Sequence, residues 1–126
     1  MRLLGIDAPE LAQNCTTSDG RQWACGKTAR DRMSKLLAAG AVDCRPQGND
    51  QYGRLLAHCS VAGRDIGATM VSEGLALASG EYWTEEGAAR KARRGIWAGD
   101  FEAPRTWRDD HPRPQGFLGW TGLFGQ

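Results

Sequence analysis

Apolar positions recur along the chain with two different periods, and the changes of period mark its elements. The opening run RLLGID is apolar after Arg2 and stops at Asp7-Ala8-Pro9, because a residue before proline is driven out of helical geometry. Residues 2–6 therefore read as the end of a strand. Residues 11–25 are polar, carry Asp19-Gly20 as a turn signal, and read as a loop. From Gly26 a helix is predicted: Ala29, Met33, Leu36 and Leu37 fall on one face, and Gly40 stops it. AVDCR reads as a short strand, RPQGNDQYG as a turn-rich connection, and RLLAHCSV as a second strand ended by Ala62-Gly63. Asp65 is placed to cap a helix with Ile66, Met70 and Val71 inside and Gly74 at its end. LALAS is a short extended link.

The segment TEEGAARKARRG carries the strongest helix signals: Thr84 as cap, Glu85 and Glu86 at the positive end, Arg93 and Arg94 at the negative end, Gly95 as stop. The run RKARR reads as a solvated last turn rather than a nucleic-acid patch. Beyond Trp97, DFEAPRTWRDDHPRPQ is polar and proline-bearing and reads as an irregular strap. GFLGWTGLFGQ then spaces aromatic and aliphatic residues with glycines. The order is strand, helix, strand, strand, helix, helix, tail, so the fold class is α+β with about three helices. Residues 1–99 are assigned to one domain, and residues 100–126 to a strap and tail.

With 126 residues, 40% hydrophobic and 25% charged, the chain has the composition of a single folded domain. No apolar run approaches the ~20 residues of a membrane span. The start MRLLGID is too short and too soon acidic for a signal peptide. A net charge of +1 leaves any phosphate recognition to local arginines. Cys15, Cys25, Cys44 and Cys59 include no C-x-x-C and lack the tight spacing of structural zinc. Two disulfides are the preferred reading, and three pairings are possible. Cys15 with Cys25 closes a short loop, while Cys44 and Cys59 lie on neighbouring predicted strands. This pairing implies an oxidising compartment, periplasm or exterior. The alternative is four reduced, buried cysteines in a cytosolic protein.

The chemistry concentrates in two places, RLLGIDAPE and NDQYGR. Cleaving a phosphodiester requires stabilising negative charge on a pentacoordinate phosphorus while water is activated. A guanidinium donates two hydrogen bonds to phosphate oxygens and keeps its proton. Arg2 and Arg54, at two strand ends, can approach one phosphate. Asp7 offers oxygen to a hard divalent cation, and Glu10 can orient or deprotonate water. Pro9 stiffens the loop between them. Arg2 and Asp7 also have the spacing of an ordinary surface ion pair, and Arg54 that of a solvated turn residue. His58, in a strand facing solvent, and His111 are assigned no catalytic role.

Taken in order, RLLGIDAPE, DQYGRLLAHC, the MVSEGLA helix and the RRGIW ending resemble the staphylococcal nuclease (thermonuclease) family, over residues 2–97. The cysteines resemble those of secreted bacterial members. The resemblance implies a five-stranded OB barrel with packed helices and calcium-dependent endonuclease hydrolysis of DNA and RNA. It implies that Arg2 and Arg54 bind the scissile phosphate, Asp7 ligates calcium, Glu10 acts on the water, and Tyr52 and Tyr82 line the nucleotide site.

The chain also departs from the family. There, a strand meander with an Asp-Gly-Asp-Thr-like turn precedes the RLLGIDAPE segment and supplies a second calcium ligand. This sequence begins at that segment. Asp7 with waters and a phosphate is expected to bind calcium weakly, and the barrel to be open. A homodimer or the GFLGWTGLFGQ tail is expected to cover the open side. The competing expectations are a nucleic-acid-binding module without catalysis, and a structural role in envelope or exopolysaccharide export.

Overall fold

The structure is a computed structural model and describes residues 2–112. The expectation that the GFLGWTGLFGQ tail docks on the sheet lies outside the described residues. Leu55–Val61 (β6) organises the main sheet, and its alternation buries Ala57, Cys59 and Val61. It pairs in parallel with Arg2–Leu3 (β1), and antiparallel with both Val42–Asn49 (β5) and Arg64–Asp65 (β7). Among the described residues the sheets stay open and no barrel closes.

Strand β5 runs through Pro46 and Gly48, which the sequence reading assigned to a connection. It forms the edge of the sheet, where a proline leaves no inner partner unsatisfied. The register slips between Pro46 and Asn49, which accommodates the irregularity. The expected single strand over residues 2–6 is also two short ones. Gly5, at φ +83°, turns the chain away from β6, and Ile6–Asp7 (β2) pairs instead with Leu77–Ala78 (β8). A Cβ at Gly5 would stand 2.7 Å from the Tyr82 ring, so that turn is open only to glycine.

Helix Cys25–Leu37 (α1) buries Ala29, Met33 and Leu36 against Ile66, Met70 and Val71 of helix Ile66–Ser72 (α2). Asp65 caps α2 as expected, its carboxylate accepting from the Ala68 N–H at 3.0 Å, a contact of about 1 kcal/mol. Helix Trp83–Ala92 (α3) differs in its cap. Thr84 lies inside the helix, and the cap position is Tyr82 in the left-handed region at φ 65°. The helix ends at Arg93, also left-handed, and Gly95 starts the 3-10 turn Gly95–Ala98 rather than closing α3.

Residues 11–25 are more ordered than a loop. Cys15–Thr16 (β3) and Gln22–Trp23 (β4) form a small hairpin stapled by the Cys15–Cys25 disulfide. Ile96, Trp97 and Phe101 pack on that disulfide as a second small core. Cys44 and Cys59 are directly opposite in register and form the other disulfide. The strap is likewise not irregular. Pro104–Asp110 is a helix (α4), begun by a buried proline at its first position.

Candidate active site

Strand β1 sets Arg2 opposite Leu56. Arg54 stands two residues before Leu56, so pleated alternation assigns Arg2 and Arg54 to the same sheet face. The turn before β6 fixes Arg54 further. Asp50 Oδ1 accepts the backbone N–H of Tyr52 and of Arg54, each at 2.8 Å, and Asp50 Oδ2 accepts Arg54 Nε at 2.6 Å. Burial pushes the Asp50 carboxyl up, but the bonds from Arg54 and Tyr52 outweigh it and hold the group below the usual range. The Tyr52 ring, 74% exposed, lies 5.5 Å from the Arg54 guanidinium carbon. An exposed aromatic face beside a guanidinium is a surface on which a base can stack.

The carboxylates come from the other arm of the site. Asp7 ends β2, and Pro9 leads to Glu10, which is 6% exposed. Both backbone groups of Glu10 are tied to Gln13: its N–H donates to Gln13 Oε1 at 3.1 Å, and its carbonyl accepts the Gln13 N–H at 2.8 Å. Beneath this loop lies the start of α1. Gly26 comes so close that a Cβ there would be 1.7 Å from the Glu10 carbonyl oxygen. The side-chain amide of Gln13 donates in turn to the carbonyl of Glu102 at 2.6 Å, joining the acid loop to the segment that enters α4.

Arg2 Nη2 stands 3.9 Å from Asp7 Oδ1. Burial is the main influence holding Arg2 below the ordinary arginine value; Asp7 opposes it, Arg54 and Arg108 reinforce it, and Glu10 opposes it again. All of these charges therefore act within one neighbourhood. The arrangement offers guanidinium groups to an anion beside two carboxylates, which is chemistry suited to a phosphodiester.

Arg108 had no place in the sequence reading, because its segment read as a strap. Pro104, a residue favoured at the first helical position, was the one available signal. From α4 its Nη1 reaches Asp7 Oδ1 at 3.1 Å and Glu10 Oε1 at 3.6 Å. Tyr82 is held elsewhere. Its ring packs over Gly5 and Gly67, and its hydroxyl donates to the Asp65 carboxylate at 3.0 Å. His58 does not face solvent freely: Nε2 meets the Glu81 carboxylate at 2.9 Å, and the ring sits edge-on to Tyr82.

Calcium takes about six to eight oxygen ligands. Among the described residues no group of three or more His, Cys, Asp or Glu is arranged to hold a metal ion. Asp7 and Glu10 are both already countered by Arg108. The residues present do not fit a resident calcium.

A family model described as staphylococcal nuclease homologue matches residues 1–99. The chain is 35% identical to the probable staphylococcal-like nuclease CAN4 of Oryza sativa subsp. japonica, with 86% of the chain and 21% of that protein covered. It is 29% identical to the staphylococcal-like nuclease CAN1 of Arabidopsis thaliana, with 86% of the chain and 32% of that protein covered. It is 31% identical to an uncharacterized 38.1 kDa protein of Capnoides sempervirens, with 86% and 31% covered. The chain thus spans between about a fifth and a third of the length of these curated relatives.

Proposed function

The chain belongs to the staphylococcal nuclease homologue family, and from that premise we propose that it hydrolyses phosphodiester bonds of DNA or RNA. The observation that carries this reading is the meeting of Arg2, Asp7 and Glu10 with the influence of Arg54, in one partly buried site. Arg2 and Arg54 hold the phosphate and stabilise the charge that develops on it. Glu10, fixed at both backbone groups, orients or deprotonates the attacking water. Tyr52 stacks on a neighbouring base. Calcium enters this proposal only as an expected requirement of the cleavage assay, and the described residues do not make a resident site for it. The two disulfides support action in an oxidising compartment, secreted or periplasmic.

The test is nicking of a supercoiled plasmid by the purified chain, with calcium and with chelator. Cleavage is expected with calcium, and Arg54→Ala or Glu10→Ala is expected to lower it about 100-fold or more. Cleavage that both variants leave intact overturns the assignment of the site. A second reading has its own support: with Arg108 on both carboxylates, the site also has the groups of an anion receptor. In that case the chain binds oligonucleotides with salt-sensitive affinity and does not turn them over, even at high calcium.

A further inference from the structure

Arg108 lies beyond residues 1–99, the part matched by the family model. Its Nη1 nevertheless meets Asp7 Oδ1 at 3.1 Å, the same oxygen that Arg2 Nη2 approaches at 3.9 Å. Arg108 touches the acids through Nη1 alone. Among the described residues its Nε and Nη2 have no hydrogen-bond partner, and the side chain is 32% exposed. The segment that carries it is firmly seated. Gln13 Nε2 bonds the Glu102 carbonyl, Phe101 packs edge-on against Trp97 at 5.0 Å, and Thr16 pairs with Asp100. Pro104 is buried at the head of the helix. The guanidinium is therefore placed at the site by the fold, with donors left over.

Those donors call for an anion. Arg54 and Arg108 both act on Arg2 as like charges, a repulsion that a bound anion relieves. A phosphodiester has two non-bridging oxygens, and the forked donors of Arg2 and Arg54, on one sheet face, fill their acceptor capacity. Arg108 comes to Asp7 from a different element, so its donors suit a neighbouring phosphate. The exposed Tyr52 ring offers a face to an unpaired base, which makes the occupant a single strand. We propose that Arg108 is a further phosphate-binding residue, holding the phosphate next to the one that Arg2 and Arg54 hold on a single nucleic-acid strand. Asp7, accepting from Arg108 and facing Arg2, sets the spacing of the two phosphate positions. This rests on the reading that Arg2 and Arg54 take a phosphate, and extends that site to two phosphates.

Fluorescence anisotropy of a labelled octathymidylate strand tests it, in chelator so that cleavage does not intrude, over a series of salt concentrations. Each phosphate neutralised on a single strand contributes about 0.7 to the slope of log affinity against log salt. Arg108→Met, which keeps the apolar stem, is expected to weaken binding about tenfold and to make that slope shallower by about 0.7. Arg108→Lys is expected to keep the parent slope, because it retains the charge. Arg105→Met, at an exposed position of the same helix, is expected to leave affinity and slope near the parent. A slope unchanged by Arg108→Met, or changed equally by Arg105→Met, overturns the assignment. Adding Asp7→Asn to Arg108→Met separates contact from mere neutralisation of the acids. The shallower slope is expected to persist, and a return to parent affinity and slope overturns the contact. In the parent alone, a thymidine trinucleotide with two phosphates is expected to bind about tenfold tighter than the dinucleotide with one. Equal affinity for the two also overturns it. A slope made shallower by Arg54→Ala but not by Arg108→Met sinks this assignment and leaves the first phosphate position standing. A strand that binds with the expected Arg108 dependence and is not cleaved with calcium sinks the nuclease reading alone.

Discussion

Asp65 shows how closely side chains of one region depend on one another. Its carboxylate caps α2 and also accepts the hydroxyl of Tyr82, the residue that caps α3. Burial, then the hydrogen bond to Asp65 and its charge, pushes the Tyr82 hydroxyl well above the ordinary tyrosine value. A raised pKa in the folded state means that the stabilisation is complete below about pH 10 and is lost as pH climbs beyond it. Tyr82→Phe is expected to cost about 1 kcal/mol at neutral pH through the lost hydrogen bond. Thermal melts from pH 7 to 11 should show its stability falling less steeply than the parent's above pH 10, and parallel curves would refute the coupling. At this scale the sequence was informative where chemistry is local. Arg2, Asp7 and Glu10 lie within nine residues, and the Asp50–Arg54 turn is a contiguous motif. Arg108 was invisible because its partner Asp7 lies 101 residues away, and no single-sequence pattern encodes that distance. His58 stays partly exposed, and its partner was hidden for the same reason, since Glu81 reaches it from another element.

Among the elements, the start of α1 bears most directly on the site. Gly26 is helical, so an alanine there gains about 1 kcal/mol of intrinsic helix preference. The added Cβ, 1.7 Å from the Glu10 carbonyl oxygen, must force the acid loop and the helix apart. The clash wins. Gly26→Ala is expected to lose about 3 kcal/mol or more in urea unfolding, and to weaken cleavage further by displacing Glu10. A variant as stable as the parent would show that the loop does not rest on the helix. The long amphipathic elements α1 and β6 were legible, because their periods are long enough to be counted. Short ones were not. Strand β5 was cut at Arg45 because proline and glycine argue against a strand, and only its edge position overrides them. Helix α4 was read as a strap because seven residues between prolines carry too little periodicity to stand out.

Across the whole molecule, the disulfides divide the labour. Cys44–Cys59 links strands that are already paired, whereas Cys15–Cys25 fastens the hairpin to the first residue of α1. Their sequence separations of 15 and 10 residues give each about 3 kcal/mol by restriction of the unfolded chain. Replacing either pair by serines is therefore expected to lower the melting temperature by a similar amount. Cleavage should suffer far more from Cys15→Ser with Cys25→Ser, and equal losses of activity in the two double variants would contradict that division. The α+β class was readable from the order of elements, and the described sheets stay open. What the sequence could not convey was how residues 11–25 and 100–108 meet. That meeting runs through the Thr16–Asp100 bridge, on the hairpin that Cys15–Cys25 staples. A fully reduced chain would lose the covalent tie between that hairpin and α1, so on the nuclease reading its site is expected to gain its final form with oxidation.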